Sequence, residues 1–356
     1  MTETTTRPSV IRLRSGRDVL AAIPGLLGYH PRESIVLLSI HPDTRVSTLR
    51  VDLPAPQDGR ALDGIAALAC RMPAPSTTIL AAFTAADWEE ASATRAALGA
   101  LATRLDRMGF RIHDTLISTS TGFGTLDDTA PQPTALLGRM PAGLNAPADS
   151  IDALAEIPPA PPAERAAFRM ALARARGRSL ARDVLGPSRA VDLADQALAE
   201  RESGQESLET LAQLLAVCLD PNERDAALYT AAWGPDSGRR LHEETTREAR
   251  GIPALDEDVP LNLAGMGTAP RPDGARLERA AQVLTRIASL AAEPHAQAVA
   301  LTMLAWTRYA AGLSSLAARL LDKAHGLHPR YGLALLLSDL IASSRLPGWA
   351  FETPQD

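Results

Sequence analysis

The hydrophobic pattern changes its period once along this chain, and that change limits the fold more than any other feature. Up to about residue 121, short apolar runs alternate with helical stretches. Residues 122–162 then lose periodicity and carry Pro131, Pro133, Pro141, Pro147, Pro158, Pro159, Pro161 and Pro162. From Ala163 onward helical spacing runs almost to the end. The expected organisation is a mixed α/β domain over 1–122, a Pro-rich linker or strap over 123–162, and an all-helical domain over 163–356. The expected class is α+β: a small mixed β-sheet with packed helices, followed by an all-α half.

In the first part, Ser15 is placed to cap a helix that ends at Gly28, with Pro31 forbidding continuation. Ser34–Ile40 is a continuous apolar run, as expected of a strand covered on both faces. His41-Pro42-Asp43-Thr44 reads as a turn into a second arm, Arg45–Leu53, whose alternation puts Leu49, Val51 and Leu53 on one face. A helix around Gly59–Cys70 leads to the apolar run Thr77–Phe83. Thr84 with Asp87 forms a capping signature for the helix carrying Trp88, Leu98, Leu101 and Leu105. Phe110–Thr119 completes four expected strands. The hairpin makes one pair antiparallel, and the strand–helix–strand crossovers favour parallel neighbours.

The helical half carries one degenerate repeat. Leu301, Leu304, Ala305, Gly312, Ala317, Leu321, Ala324 and Pro329 fall in the tetratricopeptide register. Helices across 295–344 are therefore expected to form a tetratricopeptide-like hairpin with one further helix. A repeat of this kind cannot bury its own apolar face, so neighbouring helices must cover it.

Composition narrows function mainly by exclusion. Aromatics supply only 4% of residues, so Ala and Leu must do most of the packing. A net charge of −6 argues against an electrostatic grip on nucleic acid or anionic lipid. Arg165, Arg169, Arg174, Arg176 and Arg178 scatter around one helix and read as a solvated surface. Cys70 and Cys218 stand apart without companion ligands, so neither a disulfide nor a metal site is expected. No run approaches the ~20 apolar residues of a membrane helix, and the chain reads as cytoplasmic. The sequence sets no oligomeric state.

Catalytic and cofactor signatures are missing or incomplete. Thr121-Gly122-Phe123-Gly124 lacks the third glycine of a phosphate loop and reads as a flexible strand exit. Gly265-Met266-Gly267 follows a proline-bearing loop instead of a strand. A Walker loop needs Gly-Lys, yet Lys323 is the sole lysine and follows Asp322. His242-Glu243-Glu244 lacks the second histidine of a zincin helix. No catalytic residue and no cofactor is expected.

Leu13-Arg14-Ser15, the segment Gly28-Tyr29-His30-Pro31-Arg32-Glu33-Ser34, and Leu49-Arg50-Val51-Asp52-Leu53-Pro54 carry a family likeness. Asp220 through Asp225, Ala305-Trp306, Gly312, Pro329, Tyr331, Leu333-Ala334 and Leu336-Leu337 extend it. The chain resembles the actinobacterial family known as domain of unknown function 4192. That family brings no established activity. Its members often carry a Cys-rich segment after the fourth strand, and 122–150 here contains no cysteine.

Two functional readings follow. In the first, the protein is non-enzymatic and its C-terminal helices bind a protein or peptide, with Trp306, Tyr309 and Tyr331 as candidate contacts. In the second, an enzyme or small-molecule site lies at the sheet edge, where His30, Ser34, Arg50, Asp52 and Asp114 converge. Each candidate also has a structural role open to it. Arg50 and Asp52 share a strand face and suit an i,i+2 ion pair. His30 suits a hydrogen bond to its own turn, and Trp306 and Tyr309 suit a helical core.

Overall fold

The computed structural model describes residues 13–43, 45–179, 187–249 and 269–352. Thr44 of the expected turn and the Gly265-Met266-Gly267 segment lie outside the described residues. The chain divides into two compact units, Met1–Leu154 and Ala155–Asp356.

The first unit is a mixed sheet between two helical layers. Helix α1 (Gly16–Leu27) precedes strands β1 (Ser34–Ile40) and β2 (Val46–Asp52). Helix α2 (Gly59–Arg71), β3 (Thr77–Phe83), α3 (Ser92–Arg107) and β4 (Ile112–Ser118) follow. Ser15 caps α1 by accepting the Asp18 amide, and Gly28 ends it at φ 81°, a conformation that favours glycine. The strand order is β2-β1-β3-β4-β5-β6, with β5 at Gly122–Thr125 and β6 at Gln132–Pro133. Among these strands only β3 and β4 run parallel, joined by the α3 crossover. Strands β1 and β3 are buried on both faces, which is why they read as unbroken apolar runs. Val36, Leu38, Ile79, Ala81 and Leu116 face Val19, Leu20 and Ile23 of α1. Ile35, Leu37, Leu80, Ala82 and Ile117 face α2 and α3.

The sheet has six strands where four were expected, and the reason lies in close packing. Thr119 accepts the Gly122 amide at 3.1 Å and donates to the Gly122 carbonyl at 2.9 Å, which closes a tight turn after β4. A Cβ at Gly122 would come within 2.6 Å of the Gln132 carbonyl oxygen, and one at Gly124 within 2.7 Å of the Asp128 carboxylate. The glycines are there for backbone approach, so Thr121–Gly124 is a paired strand and not a loose exit. Beyond it, the Ala148 amide donates to the Gly28 carbonyl, and the His30 amide donates to the Ala148 carbonyl, each at 2.9 Å. Residues 123–154 thus complete the first unit, ending in the short α4 (Ile151–Leu154).

Helix α3 begins later than its signature suggests. Thr84 donates to the Glu33 carboxylate, at 3.0 Å to one oxygen, and so is not at the helix start. Asp87 caps a preceding turn through the Glu90 amide.

The second unit is helical throughout its described residues. It contains α5 (Pro162–Ser179), α6 (Arg189–Ser203), α7 (Leu208–Val217), α8 (Pro221–Trp233) and α9 (Pro235–Ala249). After these come α10 (Gly274–Leu290), α11 (Pro294–Ala310), α12 (Ser314–Leu327) and α13 (Gly332–Ala342). Asp220 caps α8 through the amides of Asn222 and Glu223, with Pro221 in the first turn. One continuous core joins α5–α8 and α10–α13. Alanines bring the axes close, and Ala305, Ala317 and Ala324 are fully buried. Three of the five arginines of α5 are paired: Arg174 and Arg178 with Glu209, and Arg176 with Glu293.

Candidate functional site

Antiparallel and parallel register align one row of residues across the sheet. Asp52, Ser34, Phe83 and Ser118 are successive neighbours on β2, β1, β3 and β4. Their side chains belong to the face that α1 covers. The row lies at the carboxyl ends of the parallel strands β3 and β4, where ligands of open α/β sheets bind.

A cavity of about 560 Å³ opens beside this row. One wall is the C-terminal half of α1, with Leu20, Ala21 and Pro24. A second is the turn His30-Pro31-Arg32. The strand ends contribute Phe83, Thr84, Ala85 and Ser118, and the proline-rich segment closes the far side with Thr134, Leu137, Gly138, Met140 and Pro147. The walls are mainly apolar, with His30, Arg32 and three hydroxyls as the polar groups.

The turn that carries His30 and Arg32 is held at several points. Ser34 is fully buried and donates its hydroxyl to the Arg32 carbonyl at 2.6 Å. Arg50 donates from Nε to the Ser34 hydroxyl at 2.9 Å and from a terminal nitrogen to the Arg32 carbonyl at 3.4 Å. Its other terminal nitrogen pairs with Asp52 at 2.7 Å, where Asp52 is 89% exposed, so that ion pair adds little stability. Glu33 adopts φ 41°, unusual for a side-chain-bearing residue. Its carboxylate accepts the Ala85 amide at 2.7 Å, and the Glu33 carbonyl accepts the Leu53 amide at 2.9 Å.

The five expected ligand-site residues therefore divide. His30 lines the cavity with its imidazole exposed, and its turn is held through backbone bonds to Ala148. Ser34 and Arg50 support the turn from beneath, so the Ser34 hydroxyl is committed and buried. Asp52 sits at the sheet margin. Asp114 does not join them: it is level with Ile79 and Leu38, four residues down the strands from the Ser34 row. Strand spacing puts it about 14 Å across and about 13 Å along from Asp52. There it lies near the start of α1, accepting the Thr115 amide at 2.9 Å.

Arg32, Glu33, Thr84, Ser118 and Met140 were not among the site residues expected from sequence. Arg32 and Glu33 offered a signal, two opposite charges in a short turn entering a buried strand. Met140 offered none, because only tertiary folding brings the proline-rich segment over the sheet.

Two of the three aromatic candidates of the helical unit, Trp306 and Tyr309, are core residues. Trp306 is 3% exposed and meets Trp233 edge-on, with ring centroids 6.2 Å apart. Trp233 in turn contacts Trp349, whose indole donates to the Ala310 carbonyl at 2.9 Å. Tyr309 is 1% exposed and donates to the Arg345 carbonyl, and burial pushes its phenol up to about 12. Tyr331 is half-buried and accepts from Arg224 at 2.8 Å. Neither Trp306 nor Tyr309 borders a concave surface, because α8 and the segment 345–351 cover them.

A family model matches residues 17–347 of the 356. The chain belongs to the family described as domain of unknown function (DUF4192). No curated protein and no solved structure matches it. The match begins within α1 and runs past α13, so this DUF4192 region includes the cavity and the helical unit alike.

Proposed function

We propose that the sheet unit is a small-molecule-binding module whose site is the cavity beside Phe83 and Ser118. The cavity itself carries this reading. Its volume of about 560 Å³ falls in the range of small-molecule sites, and its apolar walls with a few converging polar groups match their chemistry. Arg50 and Ser34 act as supports for the turn that carries His30 and Arg32. Cys70 is an exposed free thiol, which suits the reducing cytoplasm.

A thermal-shift screen of the full chain against metabolites and nucleotides tests the reading. A ligand should raise the melting temperature of the wild type and have no effect on Ala21→Phe, which fills the cavity. An equal shift in both proteins would count against the site.

A second reading concerns the helical unit. We infer that α11 and α12 form a tetratricopeptide-like hairpin, a reading supported by the fully buried Ala317 and Ala324 at their contact. Leu335 and Leu336, 46% and 47% exposed on α13, are apolar side chains in the right place to meet a protein or peptide. Affinity capture that Leu335→Asp abolishes without altering the melt would support it. Capture insensitive to that change would remove the role of α13.

A further inference from the structure

We propose that the ligand of this cavity is a small anion, a carboxylate or phosphate monoester carrying an apolar body. The inference rests on the cavity reading given above.

The ionisable side chains that line the cavity are both basic. They are Arg32 and His30, and no carboxylate is among the lining residues. Neither the Arg32 guanidinium nor the His30 imidazole has a side-chain hydrogen bond or ion pair among the described residues. The nearest carboxylate in sequence, Glu33, is turned to Thr84 and the Ala85 amide, at 3.0 and 2.7 Å. It therefore forms no ion pair with Arg32.

The backbone of Arg32 is fixed while its side chain is left available. Its carbonyl accepts from Ser34 and from Arg50, so the residue is anchored on the sheet. A fixed arginine suits planar, bidentate recognition of a carboxylate or phosphate. The Ser118 hydroxyl lies at a strand end below and supplies a further polar contact, while the Thr84 hydroxyl is already spent on Glu33. Phe83 and Met140 offer the apolar surface that an inorganic anion alone would leave unused. An amphiphilic anion satisfies both halves of the lining.

Isothermal titration of the full chain with octanoate, octyl phosphate and octanol tests the inference. At least one anion should bind about tenfold tighter than octanol, the margin of a charge-assisted contact. Arg32→Gln should erase that margin, so that the anions bind the variant no tighter than octanol does. The tighter of the two anions identifies the headgroup as carboxylate or phosphate. Octanol binding as tightly as both anions, or a margin that survives Arg32→Gln, would overturn the anion inference and leave the cavity reading standing. If none of the three bound in a manner sensitive to Ala21→Phe, both would fall.

Discussion

Glu33 holds Thr84 across the sheet end: its carboxylate accepts the Thr84 hydroxyl at 3.0 Å from fifty-one residues away in sequence. Thr84 lines the cavity, and Glu33 follows Arg32 in the adjoining turn. Glu33 reaches Thr84 and the Ala85 amide from a left-handed backbone conformation, φ 41°. Strained residues of this kind persist where the surrounding contacts determine them, and they cluster at ligand sites.

Replacing Glu33 separates the two contributions. Glu33→Ala should destabilise the chain by about 1–3 kcal/mol, through lost hydrogen bonds with the left-handed strain retained. Glu33→Gly loses the same bonds but relieves the strain, and should be milder by about 1 kcal/mol. Urea melts of the two variants check this. Equal losses would mean the backbone at residue 33 stores no strain.

Glycines in the sheet unit should respond oppositely to alanine. Gly124→Ala would bring a Cβ to 2.7 Å from Asp128 and 2.9 Å from Trp88, and should cost about 1–3 kcal/mol. Gly64, inside α2, has open space for 4 Å around the point where a Cβ would sit, so Gly64→Ala should stabilise by about 0.5–1 kcal/mol. Denaturant midpoints measure both, and a destabilising Gly64→Ala would show that α2 packs otherwise.

In the helical unit, Ala317→Leu should destabilise by about 1–3 kcal/mol through overpacking, because Ala317 is fully buried. Ser314→Ala should change little, since the Ser314 hydroxyl is buried without a hydrogen-bond partner. Two equally mild melts would place Ala317 away from a neighbouring helix.

Acid should loosen the junction of α11, α12 and α13. His295 and His328 are in contact with centroids 4.9 Å apart and planes tilted by 50°, and Tyr331 meets both rings edge-on. Burial, and then the facing His328, hold the His295 imidazole below the ordinary histidine value, with Glu293 pulling the other way and Arg176 adding to the depression. The unfolded chain, with its histidine near about 6.5, then binds more protons than the folded one. The contribution is complete above that value and is lost as pH falls through the folded pKa. Glu209, held low chiefly by Arg178, loses its contribution only at more acidic pH. The urea midpoint should therefore fall between pH 7.5 and 5.5, and fall less in His295→Gln. Identical pH dependence in both proteins would remove the histidine pair as the cause.

Legibility in the sequence followed burial. Strands β1 and β3 are covered on both faces, and their unbroken apolar runs announced them. Strands β5 and β6 contain Gly122, Gly124 and Pro133, residues of poor strand propensity whose pairing is set by contacts with Pro131 and Gln132. The alanine register of α11 and α12 was visible because close helix contact demands small residues at fixed spacing. The cavity was half visible. His30, Ser34 and Arg50 stood out in one short span, whereas Met140 and Leu137 come from a segment without periodicity. Asp114 shared the charge but not the row, a distinction that depends on strand order and register.

Methyl NMR locates ligand binding most directly. With 13C-labelled methionine methyls, octanol titrated into the full chain should shift Met140, which lines the cavity, and leave Met303, buried in the helical core, unmoved. Ala21→Phe should suppress the Met140 shift. A Met140 signal that stays fixed at saturating octanol, or a shift confined to Met303, would contradict a ligand site in the sheet unit.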